Sequence, residues 1–236
     1  MRRRPRAVAA LVLAVLVSRS PAAGADPSTQ LWPRLELGLR TSSRIRFLLA
    51  AQSQIAPASG YVAGQVEGEV EMSIAPLRDM LFRTVQPARQ ERATLGIGYR
   101  YGGPIAAGDI GGSQEQRILV EGTFRLLLPA AILATDRNRF EARRLDGDWS
   151  WRYRNRLELA RSFDARSLRV VPLARAEVFY DSRYDAWPRL RLEAGTEIEE
   201  LVGHRSMIEV YLFRQLDDRS QTSPVNGVGI TLAVYY

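Results

Sequence analysis

The sequence predicts an all-β chain, an antiparallel transmembrane β-barrel of twelve strands with ten as the alternative. Three observations predict it. Apolar residues alternate with polar ones at period two through most of the chain, the pattern of strands with one apolar face. The alternating stretches often run 10 to 14 residues, whereas strands of soluble proteins are usually ~5–6 and tilted membrane strands need ~9–11. The chain also ends as a strand, with Val228, Ile230, Leu232, Val234 and the terminal Tyr236 on one face.

Residues 1–25 read as a cleaved secretory signal. Arg2, Arg3, Arg4 and Arg6 make a basic head, Ala7 to Val17 an apolar run of 11 residues, and Ala23-Gly24-Ala25 a small-residue cleavage site. The run is too short for a membrane helix, which needs ~20 apolar residues. The mature chain, a single domain over 26–236, then begins at Asp26. Of the 33 basic residues, five lie in the leader, which leaves 28 against 26 acidic ones and a formal charge of +2. A pI near 10 therefore does not argue for nucleic acid. Every basic residue is Arg, which a GC-rich genome explains. With no Cys and one His, thiolate and multi-histidine metal sites are excluded, and no cofactor is expected.

The strands follow in order. In 31–40, Leu31, Leu35, Leu37 and Leu39 oppose Trp32, Arg34, Glu36 and Arg40. A weaker strand lies near 43–51. In 61–75, Val62, Val66, Val70, Met72 and Ile74 oppose Gln65, Glu67, Glu69 and Glu71. Further strands lie near 92–102, 115–128, 136–145, 149–161, 167–181, 187–200, 206–215 and 226–236. In 187–200, Arg189, Arg191, Glu193, Glu197 and Glu199 face away from Leu190, Leu192, Ala194 and Ile198. That makes eleven. Bacterial single-chain barrels normally have an even number, so Leu77 to Val85 is expected as a twelfth. Merging 31–51 would instead give ten.

Closure pairs every backbone polar group, as lipid demands. The aromatic end at Tyr236 resembles the signal read by outer-membrane assembly machinery. With Tyr236 at the periplasmic rim, Asp217 to Val225, Ser182 to Ala186, Asp146 to Asp148 and the Gly-rich 102–114 fall outside. Tyr99, Tyr101, Trp149, Trp151, Tyr153 and Tyr180 then form an outer aromatic girdle on the lipid face. Asn155 falls on the same face in mid-strand, an exception without explanation at this level. The expected location is the outer membrane, among phospholipid and lipopolysaccharide, with no nucleic-acid partner. A soluble periplasmic β-sandwich binder is the competing fold.

The second half of the chain resembles an uncharacterised Gram-negative outer-membrane barrel family known only as a domain of unknown function. The likeness rests on Glu115-x-Arg117, Arg137-Asn138-Arg139-Phe140-Glu141-x-Arg143 and Arg152-Tyr153-Arg154-x-Arg156. It continues in Ala176-Glu177-Val178-Phe179-Tyr180-Asp181 and in Trp187 to Gly195. It spans about residues 90–236 and implies the barrel, with no activity attached.

Function is sought on the charged face. Arg137, Arg139, Glu141 and Arg143 share one side, as do Arg152, Arg154, Arg156 and Glu158, and again Arg169, Arg175 and Glu177. With Arg189, Arg191 and Glu193 they are expected to line the lumen. There they either brace a filled barrel as ion pairs or form a narrow polar path for anions. Glu67, Glu69 and Glu71 are ~6.6–7 Å apart along their strand. That is too far for one ion, and they read as partners for the arginines. The Gly-rich 102–114 lacks a phosphate-loop pattern.

His204-Arg205-Ser206 resembles the His-x-Ser of outer-membrane lipid hydrolases, which would make His204 the base for Ser206 and Asp218 its orienter. Asp218 stands at the far end of that strand, about 40 Å away at ~3.3 Å per residue. His204 falls at the periplasmic turn. The expectation is therefore a non-enzymatic barrel, structural or a narrow pore, with the hydrolase as the alternative.

Overall fold

The computed structural model describes residues 29–76, 82, 84–105, 114–165, 168–201, 205–218 and 224–236. The expected signal segment lies outside the described residues. The described chain is all-β, with twelve strands in one sheet closed on itself. They are β1 (Thr29–Arg40), β2 (Ile45–Ala56), β3 (Tyr61–Pro76), β4 (Glu91–Pro104), β5 (Glu115–Leu128) and β6 (Ile132–Leu145). β7 (Asp148–Arg161), β8 (Phe163–Ala165), β9 (Leu168–Asp181), β10 (Ala186–Glu199), β11 (Ser206–Asp217) and β12 (Val225–Tyr235) complete the set.

Eleven of these strands make the barrel wall. The three-residue β8 is an extra strand laid antiparallel on β9, beside the junction with β7. Neighbours pair antiparallel around the wall, β9 with β10 included. The one exception is the closing seam, where β1 and β12 run parallel from Thr29↔Asn226 to Gly38↔Tyr235. The terminal residue belongs to this seam. Tyr236 N–H donates to the Gly38 carbonyl at 2.8 Å, and Arg40 N–H donates to the Tyr236 carbonyl at 2.8 Å.

The parallel seam overturns the parity expectation. A wall of antiparallel pairs alone closes only with an even count, and one parallel pair lets eleven close. No strand is needed over Leu77–Val85. Within it Phe82, Thr84 and Val85 are not in a strand, and 77–81 and 83 lie outside the described residues. Phe82, Thr84 and Val85 contact inward-facing residues of the wall instead. A 3₁₀ turn at Pro87–Gln90 then leads into β4, with Pro87 supplying a fixed φ at its start. The strand ends that this long link joins, Pro76 and Glu91, therefore lie at the Tyr236 end, not at the opposite end where the long loops were expected.

Period-two alternation fixes the two faces. Outward side chains are apolar: Phe47, Leu49, Val66, Ile97, Val120, Phe124, Leu157 and Leu212 are all exposed. Inward side chains are charged, and Glu141, Glu177, Glu197 and Glu199 are at most 1% exposed. The girdle aromatics point outward, and Trp151 and Tyr180 meet ring neighbours across strands. Phe140 meets Trp151 at 5.6 Å between ring centroids, Trp151 meets Tyr180 at 4.9 Å, and Tyr180 meets Trp187 at 5.6 Å.

Asn155 also points outward, within a hydrogen-bonded polar group. Its amide donates to Asp136 Oδ1 at 2.6 Å and to Asn138 Oδ1 at 3.1 Å. Asn138 donates to Asp136 Oδ2 at 3.1 Å, and Tyr153 Oη donates to Asn138 Oδ1 at 2.5 Å. The β6–β7 register places Asn138 directly opposite Asn155. The exception is thus a four-residue cluster in which each polar side chain has a partner.

Candidate functional site: the charged lumen

The lumen is a polar cavity of about 320 Å³. Of the expected lining residues, Glu67, Glu69, Glu71, Arg137, Arg139, Arg152, Arg154, Arg156, Glu158, Arg175, Arg189, Arg191 and Glu193 border it. Glu141, Arg143 and Glu177 lie within the same inward-facing charge network but do not border the cavity.

The charges are knitted across strands. Arg139 spans three carboxylates, donating to Glu121 at 2.6 Å and to Glu67 and Glu69 at 3.3 Å each. Arg154 joins Glu141 at 3.0 Å to Glu177 at 2.8 Å. Arg152 also holds Glu141, donating through Nε at 2.9 Å. Arg137 reaches Glu177 at 2.8 Å, and Arg143 bridges Asp181 at 2.7 Å with Glu115. Arg175 gathers Glu158 at 2.5 Å, Glu193 at 3.4 Å and Glu209. Glu71 pairs with Arg46 at 3.0 Å, and Glu67 also with Arg100. Toward the far rim Arg189 meets Asp217 at 2.6 Å, and Arg191 donates to Gln215 at 2.7 Å. Such charges tolerate burial because each is paired and further hydrogen-bonded.

Sequence reasoning missed the residues that close this cavity at the Tyr236 end. Arg89, 4% exposed, donates to Glu197 at 2.5 and 2.8 Å and to Glu158 at 2.8 Å. Burial acts to lower the pKa of this guanidinium. The carboxylates Glu197 and Glu158 outweigh that, and the pKa is raised. Thr84 Oγ1 donates to Glu199 at 2.5 Å, the Val85 N–H donates to the same carboxylate at 3.1 Å, and Gln86 reaches Met207 Sδ. Phe82 packs with Leu133, Ala160, Val171 and Leu173, inward residues of β6, β7 and β9. Residues 82 and 84–90 are thus held to β7, β9, β10 and β11 from inside. The available signal was the broken alternation of Met80-Leu81-Phe82 followed by Pro87.

A second feature missed in sequence is an aromatic wall. Trp32 stacks on Phe213 at 4.1 Å, beside Tyr211. Arg191 lies 4.5 Å over the Trp32 ring. Glycines of β12 make room: a Cβ on Gly229 would stand 1.9 Å from Tyr211 Cζ, and one on Gly227 2.4 Å from Phe213 Cζ. Farther round, the Phe179 ring sits under Arg152, Arg154, Arg189 and Arg191 at 4.9–5.7 Å.

The serine of the hydrolase pattern stands at the start of β11, buried, and Asp218 follows the opposite end of that strand. The separation of Ser206 from Asp218 is that of a full strand, as the sequence implied. His204 lies outside the described residues. Among the described residues no group of His, Asp and Glu is arranged to hold a metal ion. The 102–114 loop lies mostly outside the described residues as well.

In a comparison with solved structures, the chain is similar to the β domain of the Bordetella autotransporter BrkA. The TM-score is 0.44 and the identity 17%, over 83% of this chain and 82% of that one. No curated protein matches it in sequence. The family described as a protein of unknown function, DUF2490, matches residues 29–226. That match spans all but the last ten residues of the barrel, and the chain belongs to the DUF2490 family.

Proposed function

We propose that this protein is an integral outer-membrane barrel whose lumen is held closed at the periplasmic end by Phe82 and residues 84–90. It is non-enzymatic, and acts as a filled barrel or narrow polar compartment rather than a permanently open pore. The observation that carries this reading is the inversion of the soluble pattern. Ile97 is 59% exposed and Leu212 64%, while Glu141, Glu197 and Glu199 are fully buried. Water would strip such a surface of its solubility, whereas lipid solvates it and demands the closed ladder of hydrogen bonds this barrel has. The stacked outward aromatics fit a membrane interface.

On this reading Tyr236 stands at the periplasmic rim. The leader 1–25 exports the chain, assembly machinery reads the terminal strand, and phospholipid and lipopolysaccharide surround the wall. Two further features support a closed lumen. One is the near-complete pairing of inward charges. The other is the anchoring of Arg89 and Thr84 on Glu158, Glu197 and Glu199. The test is expression from the full sequence followed by fractionation. The protein is expected in the outer membrane, resistant to urea extraction. Recovery in the soluble periplasm would overturn the proposal.

A further inference from the structure

The inward face of β5, β6 and β7 gathers several donors without hydrogen-bond acceptors on adjacent strands. The β5–β6 register sets Thr123 beside Arg137 and Arg125 beside Thr135. The β6–β7 register sets Arg137 directly beside Arg156. All five side chains border the same cavity.

Among the described residues Arg156 makes no ion pair and no side-chain hydrogen bond. Arg125, 9% exposed, has one bond, from Nη1 to the Glu91 carbonyl at 3.2 Å, and its buried Nε has no partner. The buried Arg137 Nε and Thr135 Oγ1 also have no hydrogen-bond partner. Nearby carboxylates are engaged elsewhere. Glu158 holds Arg89 and Arg175. Glu121 takes the Arg139 bond at 2.6 Å and stands 3.7 Å from Arg137. Glu177, opposite Arg156 on β9, is shared by Arg137 and Arg154 through Oε1, and its Oε2 accepts no hydrogen bond but stands 3.5 Å from Arg191.

Two guanidiniums directly opposite each other on neighbouring strands repel, and buried donors without acceptors are costly. A group with several acceptor oxygens and negative charge relieves both at once, and guanidinium forks match such oxygens in pairs. We propose that Arg125, Arg137 and Arg156, with the Thr135 hydroxyl, form a binding site for a small free oxyanion of the phosphate or sulfate class. The closed wall separates this patch from lipid headgroups, so the ligand is a solute in the lumen. The site deepens the closed-lumen reading by naming what the compartment holds, and it rests on the barrel alone. Calorimetry in detergent tests it independently of membrane location and of conductance.

The experiment titrates the refolded full chain in detergent with sodium phosphate at constant ionic strength, set with sodium chloride. Saturable one-site binding is expected. R156Q and T135V are each expected to weaken it tenfold or more, while R144Q, exposed on the outward face of β6, leaves it within twofold. Sulfate should compete with phosphate. Circular dichroism and heat-modified gel mobility report folding, and T135V, nearly isosteric, stands in if an arginine variant fails to fold. Absence of saturable phosphate binding to the wild type would overturn the proposal. So would equal affinity in wild type, R156Q and T135V, which would assign the binding to general lumen charge or leave Arg156 to Glu177.

Discussion

Replacing Arg89 by alanine removes three hydrogen bonds, at 2.5, 2.8 and 2.8 Å, from a guanidinium that is 4% exposed. Glu197 is left fully buried, with Arg175 at 3.7 Å as its remaining ion-pair partner among the described residues. Glu158 keeps Arg175 at 2.5 Å and suffers less. Removing one partner of a buried pair costs ~3–5 kcal/mol. The wall itself is held by backbone ladders that Arg89 does not join. The loss therefore falls on the docking of Phe82 and residues 84–90. At ~1.4 kcal/mol per factor of ten, the undocked fraction should rise between about a hundred-fold and a few thousand-fold. Thr84, Val85 and Phe82 still hold the segment, so the expected phenotype is intermittent opening rather than a permanent hole. Single-channel recording in planar bilayers reads this directly. Wild type should be silent or nearly so, and R89A should show discrete openings, with the segment newly cut by protease from the periplasmic side. Wild-type silence retained in R89A, with the segment still protected, would refute the reasoning. So would a steadily conducting wild type.

Phe82→Ala acts on the same segment through packing. Loss of a buried Phe costs ~3–5 kcal/mol, so openings like those of R89A are expected, and the double variant should conduct more than either. Gly229→Val places carbon where the Tyr211 ring stands and should sharply lower the yield of folded barrel on heat-modified gels, with partial rescue by Tyr211→Ala. Asn155→Leu strips a 2.6 Å bond from outward-facing Asp136 and should cost ~1–3 kcal/mol in urea unfolding. Adding Asp136→Leu should recover only part of it, because it removes the unsatisfied carboxylate but takes the acceptor from the Asn138 amide.

The wall was legible in the sequence because a half-buried strand writes its two faces at period two. The segment 187–200 is the clearest case. Arg189, Arg191, Glu193, Glu197 and Glu199 turn inward in the structure, and Leu192 and Ala194 outward, as the alternation required. Inside and outside followed from that, and so did the aromatic face and the outward position of Asn155.

Closure was not legible. Strand pairing across the seam is a contact between residues about 200 positions apart, and nothing in the local pattern of β1 says that β12 runs parallel to it. Assuming an all-antiparallel wall produced a strand over Leu77–Val85. In fact Phe82 had an apolar cluster to enter and Arg89 two carboxylates to reach. The carboxylate cradle is likewise tertiary. Glu158, Glu197 and Glu199 could be placed inward from alternation, but their partner on an inserted loop could not. The donors left open at Arg125, Thr135 and Arg156 are visible only once every other inward charge has been matched.

The most direct test of the central claim exploits the absence of cysteine from the natural sequence. Single cysteines at the outward positions Ile97, Leu157 and Leu212, and at the far-rim residue Asp148, are probed in intact outer-membrane vesicles with a water-soluble maleimide. The account predicts labelling at Asp148, and protection at Ile97, Leu157 and Leu212 that is lost only when detergent removes the lipid. Full labelling of those three positions in intact vesicles would contradict a barrel that spans the membrane.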